Sequence, residues 1–318
     1  MRVYFIDSVH KALEDQLSNI GFTCVNVTKT PLETLQKELI KADGIVIRSR
    51  FPMNESLLKF APNLKFIARS GAGMENIDLT YCEKRDIQLF NAPEGNRNAV
   101  AEHALGMLLS LMNKFQQGNE QVRKGIWDRE GNRGEELDGK TVGIIGYGNN
   151  GRAFAKKLRG FEVDVLVYDK YLTDIEDAFV KQVTLNELYA LSDVISFHIP
   201  QNEETLFWAN DDFFNALQKP IYLLNLSRGK IVSTKSLLLA IQTGKVKSAG
   251  LDVLEFEKAN FETFDQNKLD DFNALTNNPK VLLTPHVGGW TTESYLKLST
   301  VLGEKITSWY KKLINNES

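Results

Sequence analysis

The chain has 318 residues, more than one hydrophobic core usually supports, so two domains of ordinary size are expected. Apolar residues make up 42% and charged residues 25%, and the net charge of −3 leaves no basic footprint for a nucleic acid, so small-molecule partners are expected. Two cysteines, Cys24 and Cys82, cannot form a disulfide framework and read as ordinary thiols of a reducing compartment.

The N-terminus opens straight into a strand pattern, Val3 to Ile6, without an apolar signal core or an Arg/Ser-rich transit segment, which points to the cytoplasm. Strand patterns near 2–6, 22–27, 44–48, 65–69 and 87–90 alternate with helical ones such as Lys11 to Ile20 and Leu32 to Lys41, the signature of a parallel α/β domain. Asn98 is placed to cap a helix whose apolar positions Val100, Ala101, Ala104, Leu105, Leu108 and Met112 recur at helical spacing. The longest apolar run, Leu105 to Met112, is too short to span a bilayer, so no membrane partner is expected. A second alternation runs from Thr141 to about Pro285, with strands at 142–146, 163–168, 194–197, 221–225, 247–251 and 281–284. Within it, the polar, mixed stretch from Phe256 to Asn278 is the nearest thing to a long loop, with room for a helical turn. Thr292 to Lys312 forms a last amphipathic helix with Tyr295, Leu298, Leu302, Ile306, Trp309 and Leu313 on one face. Too small to stand alone, this helix has to cover a core, and it is expected to return to the first domain.

The most informative stretch is Val142-Gly143-Ile144-Ile145-Gly146-Tyr147-Gly148-Asn149-Asn150-Gly151, a buried strand delivered into a GxGxxG turn and then a helix. Gly146 permits the tight turn, Gly148 lets backbone approach a pyrophosphate, and Gly151 allows close packing of helix on strand, while Asn149 and Asn150 open the helix whose N-terminus faces the phosphates. A second strand, Val163 to Tyr168, ends at Asp169, eighteen residues past Gly151, where a carboxylate can accept hydrogen bonds from a ribose. Because that carboxylate repels a 2′-phosphate, NAD is expected rather than NADP, although Lys170 beside it softens the discrimination.

Farther along stand Asn225-Leu226-Ser227-Arg228-Gly229, then Gly250-Leu251-Asp252-Val253 with Glu257, then Thr284-Pro285-His286-Val287-Gly288-Gly289. Together with Arg69 to Asp78, Pro93 to Leu111 and His198 to Thr205, these motifs, in this order, resemble the D-isomer-specific 2-hydroxyacid dehydrogenases over nearly the whole chain. The resemblance implies an α/β protein in which a doubly wound Rossmann NAD-binding domain, residues 99–286, is inserted into a flavodoxin-like parallel α/β substrate domain, residues 1–98 plus 287–318, with a cleft that closes during turnover. It also implies an NAD-dependent enzyme, no metal, and a homodimer to which the helix from Asn98 to Met112 contributes.

Such a reaction needs a planar cation for the substrate carboxylate and 2-oxygen, and Arg228 is the candidate. It needs a group to exchange the hydroxyl proton, which an imidazole does in the right range, and His286 is that group. Glu257 occupies the family position of the carboxylate that fixes the imidazole tautomer and favours the imidazolium. By the same resemblance, Asp252 contacts the nicotinamide carboxamide, His198 lies in a turn at the cofactor with a mainly structural role, and the backbone of Gly71, Ala72 and Gly73 holds the substrate carboxylate. The turn carrying those three residues reads as strand-to-helix. His10 and His103 carry no such claim and read as core or helix-surface residues, and Thr205 reads as a helix cap.

Arg48-Ser49-Arg50 ends one strand and Arg69 the next, so three guanidiniums can gather at one rim. Arg48 and Arg69 stand where phosphoglycerate dehydrogenases of the family carry phosphate-contacting arginines, so 3-phosphoglycerate oxidised to 3-phosphohydroxypyruvate, the entry to serine synthesis, is the favoured reaction. A glyoxylate or hydroxypyruvate reductase is the alternative within the class, and a non-catalytic, NAD-sensing corepressor-like protein the alternative outside it. The chain departs from the family pattern at Lys258, where proline is usual, at Asn150, where a branched apolar residue is usual, and at Arg97, where a small one is common. It ends 32 residues after His286, so a C-terminal regulatory domain is not expected.

Overall fold

A computed structural model describes residues 1–175, 177–257 and 269–316. The chain divides into two compact units, one built from residues 1–96 and 290–316, the other from 97–257 and 269–289.

In the first unit five short strands alternate with helices: β1 (Arg2–Phe5), α1 (Lys11–Asn19), β2 (Thr23–Asn26), α2 (Leu32–Glu38), β3 (Gly44–Ile47), α3 (Glu55–Leu58), β4 (Phe66–Arg69), α4 (Leu79–Lys84) and β5 (Gln88–Asn91). The sheet order is β2-β1-β3-β4-β5 with every pair parallel, the flavodoxin-like arrangement. β3 and β4 are buried at every position, which is why they read as unbroken apolar runs rather than alternating ones.

α5 (Pro93–Met112) leads from the first unit into the second, which continues with α6 (Phe115–Arg123), β6 (Thr141–Ile145), α7 (Asn149–Leu158), β7 (Asp164–Tyr168), β8 (Val180–Gln182), α8 (Leu185–Leu191), β9 (Val194–Phe197), α9 (Asp211–Ala216), β10 (Ile221–Asn225), α10 (Thr234–Gln242), β11 (Val246–Leu251), α11 (Leu269–Thr276) and β12 (Val281–Leu283). Its seven strands are ordered β12-β11-β10-β9-β6-β7-β8, all parallel. Read from β6 outward, this is the doubly wound Rossmann order with one strand added, and the order reverses between β6 and β9. The last helix, α12 (Thr292–Asn316), packs in the first unit, where Leu298, Leu302 and Ile306 join Val3, Phe5, Leu13, Leu17 and Phe66, and Trp309 meets Phe66 and Phe90 edge to face.

Two local expectations are corrected. Asn98 caps nothing: α5 begins five residues earlier at Pro93, whose fixed φ suits a first helical position, and the Asn98 amide donates along the helix to Glu102 Oε1 at 2.9 Å. Thr205 is no helix cap either, since its hydroxyl closes a turn by donating to Pro200 O at 2.7 Å and accepting Asn202 N–H at 2.8 Å. β8 escapes the sequence because an edge strand of three residues, two of them exposed, has no apolar pattern. In the stretch from Phe256 to Asn278, the helical turn is α11, eight residues long, while Lys258 and the rest of 258–268 lie outside the described residues. Both cysteines are free thiols, and burial pushes each thiol's pKa up.

Candidate active site

β6 carries four buried residues, Val142 to Ile145, into the glycine turn. Gly146 sits at φ +94°, where an L side chain is strained, and a Cβ on Gly151 would lie 2.0 Å from Gly146 O. The space beside Gly148 is open, with nothing within 4 Å of where its Cβ would be. α7 begins just beyond, with no acid in its first turn, and Arg97 Nη1 donates to Asn149 Oδ1 at 3.2 Å. Open space at the backbone, a helix N-terminus and a nearby guanidinium together fit a pyrophosphate. Asn150 Oδ1, by contrast, is buried without a hydrogen-bond partner among the described residues.

Asp169 ties the end of β7 to this turn. Its Oδ2 accepts Tyr147 N–H at 2.7 Å, and its Oδ1 accepts Tyr171 and Leu172 N–H at 2.9 and 3.0 Å. The neighbouring Lys170 ammonium donates to Glu204 Oε2 at 2.7 Å, and the Tyr171 hydroxyl donates to the same oxygen at 2.7 Å. His198, just past β9, points its Nε2 at Ser196 Oγ, 2.9 Å away, and lies 5.4 Å from the Phe154 ring; burial pushes its pKa down to about 4, so the ring is neutral. These contacts are structural ones.

The chemistry-bearing side chains emerge at one edge of the seven-stranded sheet. Asn225, Leu251 and Leu283 are register partners on β10, β11 and β12, and Arg228, Asp252 and His286 follow them by one to three residues. Asn225 shapes the first of these turns, its amide donating to Arg228 O at 2.9 Å while its oxygen accepts from Ser227. The Arg228 guanidinium donates to Ser227 O at 2.6 Å. His286 Nδ1 meets Glu257 Oε2 at 2.8 Å, and Glu257 is held in turn by Leu254 N–H on Oε1 at 2.5 Å. A carboxylate only accepts, so Nδ1 carries the hydrogen and, in the neutral ring, Nε2 keeps its lone pair. The pair is sheltered yet reachable, 25% exposed at the imidazole and 13% at the carboxylate.

Asp252 is 2% exposed and faces inward: Oδ1 accepts Thr284 Oγ1–H at 2.6 Å and Val287 N–H at 2.8 Å, and Oδ2 accepts Gly288 N–H at 2.8 Å. His103 Nε2 lies 3.0 Å from Thr284 Oγ1. Sequence reading assigns His103 no part in this site, because nothing in the chain pattern links position 103 to position 284.

In the first unit the three arginines are held differently. Arg50 is consumed structurally, its guanidinium donating to the carbonyls of Ile6, Val27 and Thr30 at 2.8 to 3.3 Å. Arg48 lies 4.0 Å over the Trp290 ring, and Arg69, 9% exposed, folds over Gly71 so closely that a Cβ there would lie 1.7 Å from its Nη1. The Gly71 to Gly73 turn is not strand-to-helix, since α4 starts only at Leu79 behind the Asp78 cap. Gly71 N–H is used internally on Arg69 O at 2.9 Å, whereas among the described residues the amides of Ala72 and Gly73 make no hydrogen bond.

Residues 105–288 match the family model of the D-isomer specific 2-hydroxyacid dehydrogenase NAD-binding domain. The chain is 33% identical to D-3-phosphoglycerate dehydrogenase of Archaeoglobus fulgidus, over 98% of its own length and 58% of that protein. It is 31% identical to hydroxypyruvate reductase of Thermotoga maritima, over 96% of its length and 97% of that protein. Among solved structures, D-lactate dehydrogenase of Aquifex aeolicus, complexed with NAD and lactic acid, superposes with a TM-score of 0.83 at 28% identity, covering 99% of this chain and 97% of that one. The chain thus spans somewhat over half the length of the phosphoglycerate dehydrogenases it matches. The matched domain and the sequence identity agree with the glycine turn and the sheet order, and the chain belongs to the D-isomer-specific 2-hydroxyacid dehydrogenase family.

Proposed function

We propose that the protein is a cytoplasmic NAD-dependent dehydrogenase that interconverts a D-2-hydroxy acid and its 2-oxo acid, with 3-phosphoglycerate as the favoured substrate. The observation that carries the reading is the Glu257–His286 pair at the sheet edge that also presents Arg228, on a domain with a dinucleotide-binding turn. The cofactor supplies a hydride acceptor or donor. His286 Nε2 takes the hydroxyl proton in oxidation and returns it in reduction, and Glu257 stabilises the imidazolium that forms. Arg228 binds the carboxylate and the 2-oxygen through its planar fork. The amides of Ala72 and Gly73 are the ones available to a carboxylate; Arg48 and Arg69 are assigned to the phosphate.

With Arg50 withdrawn, the phosphate assignment rests on two guanidiniums instead of three. The similarity to a hydroxypyruvate reductase supports an unphosphorylated acid as the second reading. Steady-state turnover on 3-phosphohydroxypyruvate and on hydroxypyruvate separates the two, and Arg48→Ala sharpens the test. Losing a charged hydrogen bond of about 1.5–3 kcal/mol is expected to lower kcat/KM roughly 10- to 100-fold on the phosphorylated acid only. Equal losses on both acids would remove the phosphate from the proposal.

A second copy of the chain is the proposed partner. The apolar side of α5 that suggested this is largely consumed in its own core, with Val100, Ala101, Ala104, Met107, Leu108 and Met112 buried. Four exposed apolar side chains lie close in sequence on α6 and just beyond, Phe115, Val122, Ile126 and Trp127, the last 79% exposed. Sedimentation of Trp127→Ser beside the unaltered protein tests this surface.

A further inference from the structure

The contacts around Asp252 form a closed chain that ends on a residue with no assigned role. Thr284 Oγ1 donates its one hydrogen to Asp252 Oδ1 at 2.6 Å. Its contact with His103 Nε2 at 3.0 Å must therefore use an oxygen lone pair, so Nε2 of His103 carries the hydrogen and donates it. The same nitrogen lies 3.7 Å from Asp252 Oδ1, and among the described residues His103 is the one basic side chain paired with this buried carboxylate.

Asp252 in turn suspends the segment that carries His286. Its carboxylate accepts the N–H groups of Val287 and Gly288, and its backbone oxygen accepts His286 N–H at 2.8 Å. This anchoring matters because His286 is held at φ +55°, a left-handed conformation that a side chain-bearing residue adopts only where its surroundings impose it. The 2.8 Å contact between Nδ1 and Glu257 thus depends on a turn hung from Asp252, and Asp252 is aimed by Thr284 and His103.

We propose that His103 is a positioning residue for the acid–base histidine. Its Nε2–H orients the Thr284 hydroxyl, Thr284 holds the Asp252 carboxylate toward the amides of Val287 and Gly288, and the turn so fixed keeps the His286 imidazole on Glu257. The inference rests on the proposed role of His286 and deepens it by one residue, carried on α5.

The test compares His103→Leu, His103→Gln, Thr284→Val and His286→Ala, each followed by NADH oxidation with 3-phosphohydroxypyruvate and with hydroxypyruvate, and by thermal midpoint. His103→Leu removes the donor at similar size and is expected to lower kcat about tenfold or more on both acids, because small misplacements of a reacting group are costly. His103→Gln keeps an N–H donor at the same reach and is expected to recover most of that loss. Thr284→Val breaks the relay without altering the helix and is expected to match His103→Leu. Undiminished kcat in His103→Leu or Thr284→Val overturns the proposal, as does a His103→Gln variant no better than His103→Leu. A loss of activity that tracks a fallen midpoint in all three variants also overturns it, by reducing the network to stability. His286→Ala separates the two levels: if that variant keeps turning over, the reading of the site fails; if it is dead while the His103 variants are not, only the positioning role fails.

Discussion

Two turns leave the same edge of the seven-stranded sheet, each carrying a histidine, and they give the ring opposite surroundings. The turn after β9 packs His198 against Phe154, bonds it to the Ser196 hydroxyl and leaves it neutral, with burial holding its pKa near 4. The turn after β12 sets His286 against the Glu257 carboxylate and leaves a quarter of the pair's imidazole exposed. An imidazole becomes an acid–base group through its partner and its access, not through its place at a strand end.

The comparison breaks most sharply at His286. His286→Ala is expected to lower turnover about 100- to 10,000-fold on every substrate while the thermal midpoint stays close to that of the parent, the range for a lost general acid–base. Turnover within tenfold of the parent would place the proton exchange elsewhere. Glu257→Gln probes the partner alone. An amide can donate to Nδ1 as well as accept from it, so the ring can settle with its hydrogen on Nε2, the wrong nitrogen for taking a proton. We expect a loss of at least about 100-fold in kcat, with binding of the reduced cofactor measured by NADH fluorescence unchanged. A loss below about threefold would mean that the carboxylate does not set the tautomer.

At the other turn the expected effect is on stability. A histidine held near 4 when folded but titrating near 6.5 when unfolded makes the unfolded chain bind more protons across that interval, so stability falls as pH drops from about 6.5 toward 4. The full effect below pH 4 is up to roughly 3 kcal/mol. Urea melts of His198→Gln and the parent from pH 7 to 4 are expected to converge at acid pH, because the variant lacks this term. Parallel curves would show that His198 is not neutral in the fold.

How far the sequence carried these conclusions depended on which residues were near in the chain. The alternation of apolar runs with helical periods was enough for two parallel α/β sheets, because fully buried strands such as β3, β4 and β10 advertise themselves. Spacing within the glycine turn was local and therefore readable. The Glu257–His286 contact, spanning 29 positions, came only through family resemblance. The relay to Asp252 runs from His103 to Thr284, 181 positions later in the chain, and no local pattern encodes it. Arg50 misled for the same reason: its charge is visible in the sequence, but the three carbonyls that absorb it belong to segments 20 to 44 residues away.

The smallest effect concerns the far end of the turn after β9, where Glu204 answers the ambiguity that Lys170 creates. Asp169 alone would disfavour a 2′-phosphate, yet an unengaged ammonium next to it would offset that repulsion. Glu204 holds the ammonium and the Tyr171 hydroxyl on one oxygen, which lowers the carboxylate's own pKa and keeps a second negative charge at the end of β7. Glu204→Gln releases Lys170 and removes that charge, so NADP binding, followed by fluorescence or calorimetry, is expected to tighten a few-fold while NAD binding stays constant. The ion pair is exposed and screened by salt, so the change should shrink as ionic strength rises. An unchanged NADP-to-NAD affinity ratio at low salt would leave Asp169 as sole arbiter, and the turn after β9 would then serve packing alone.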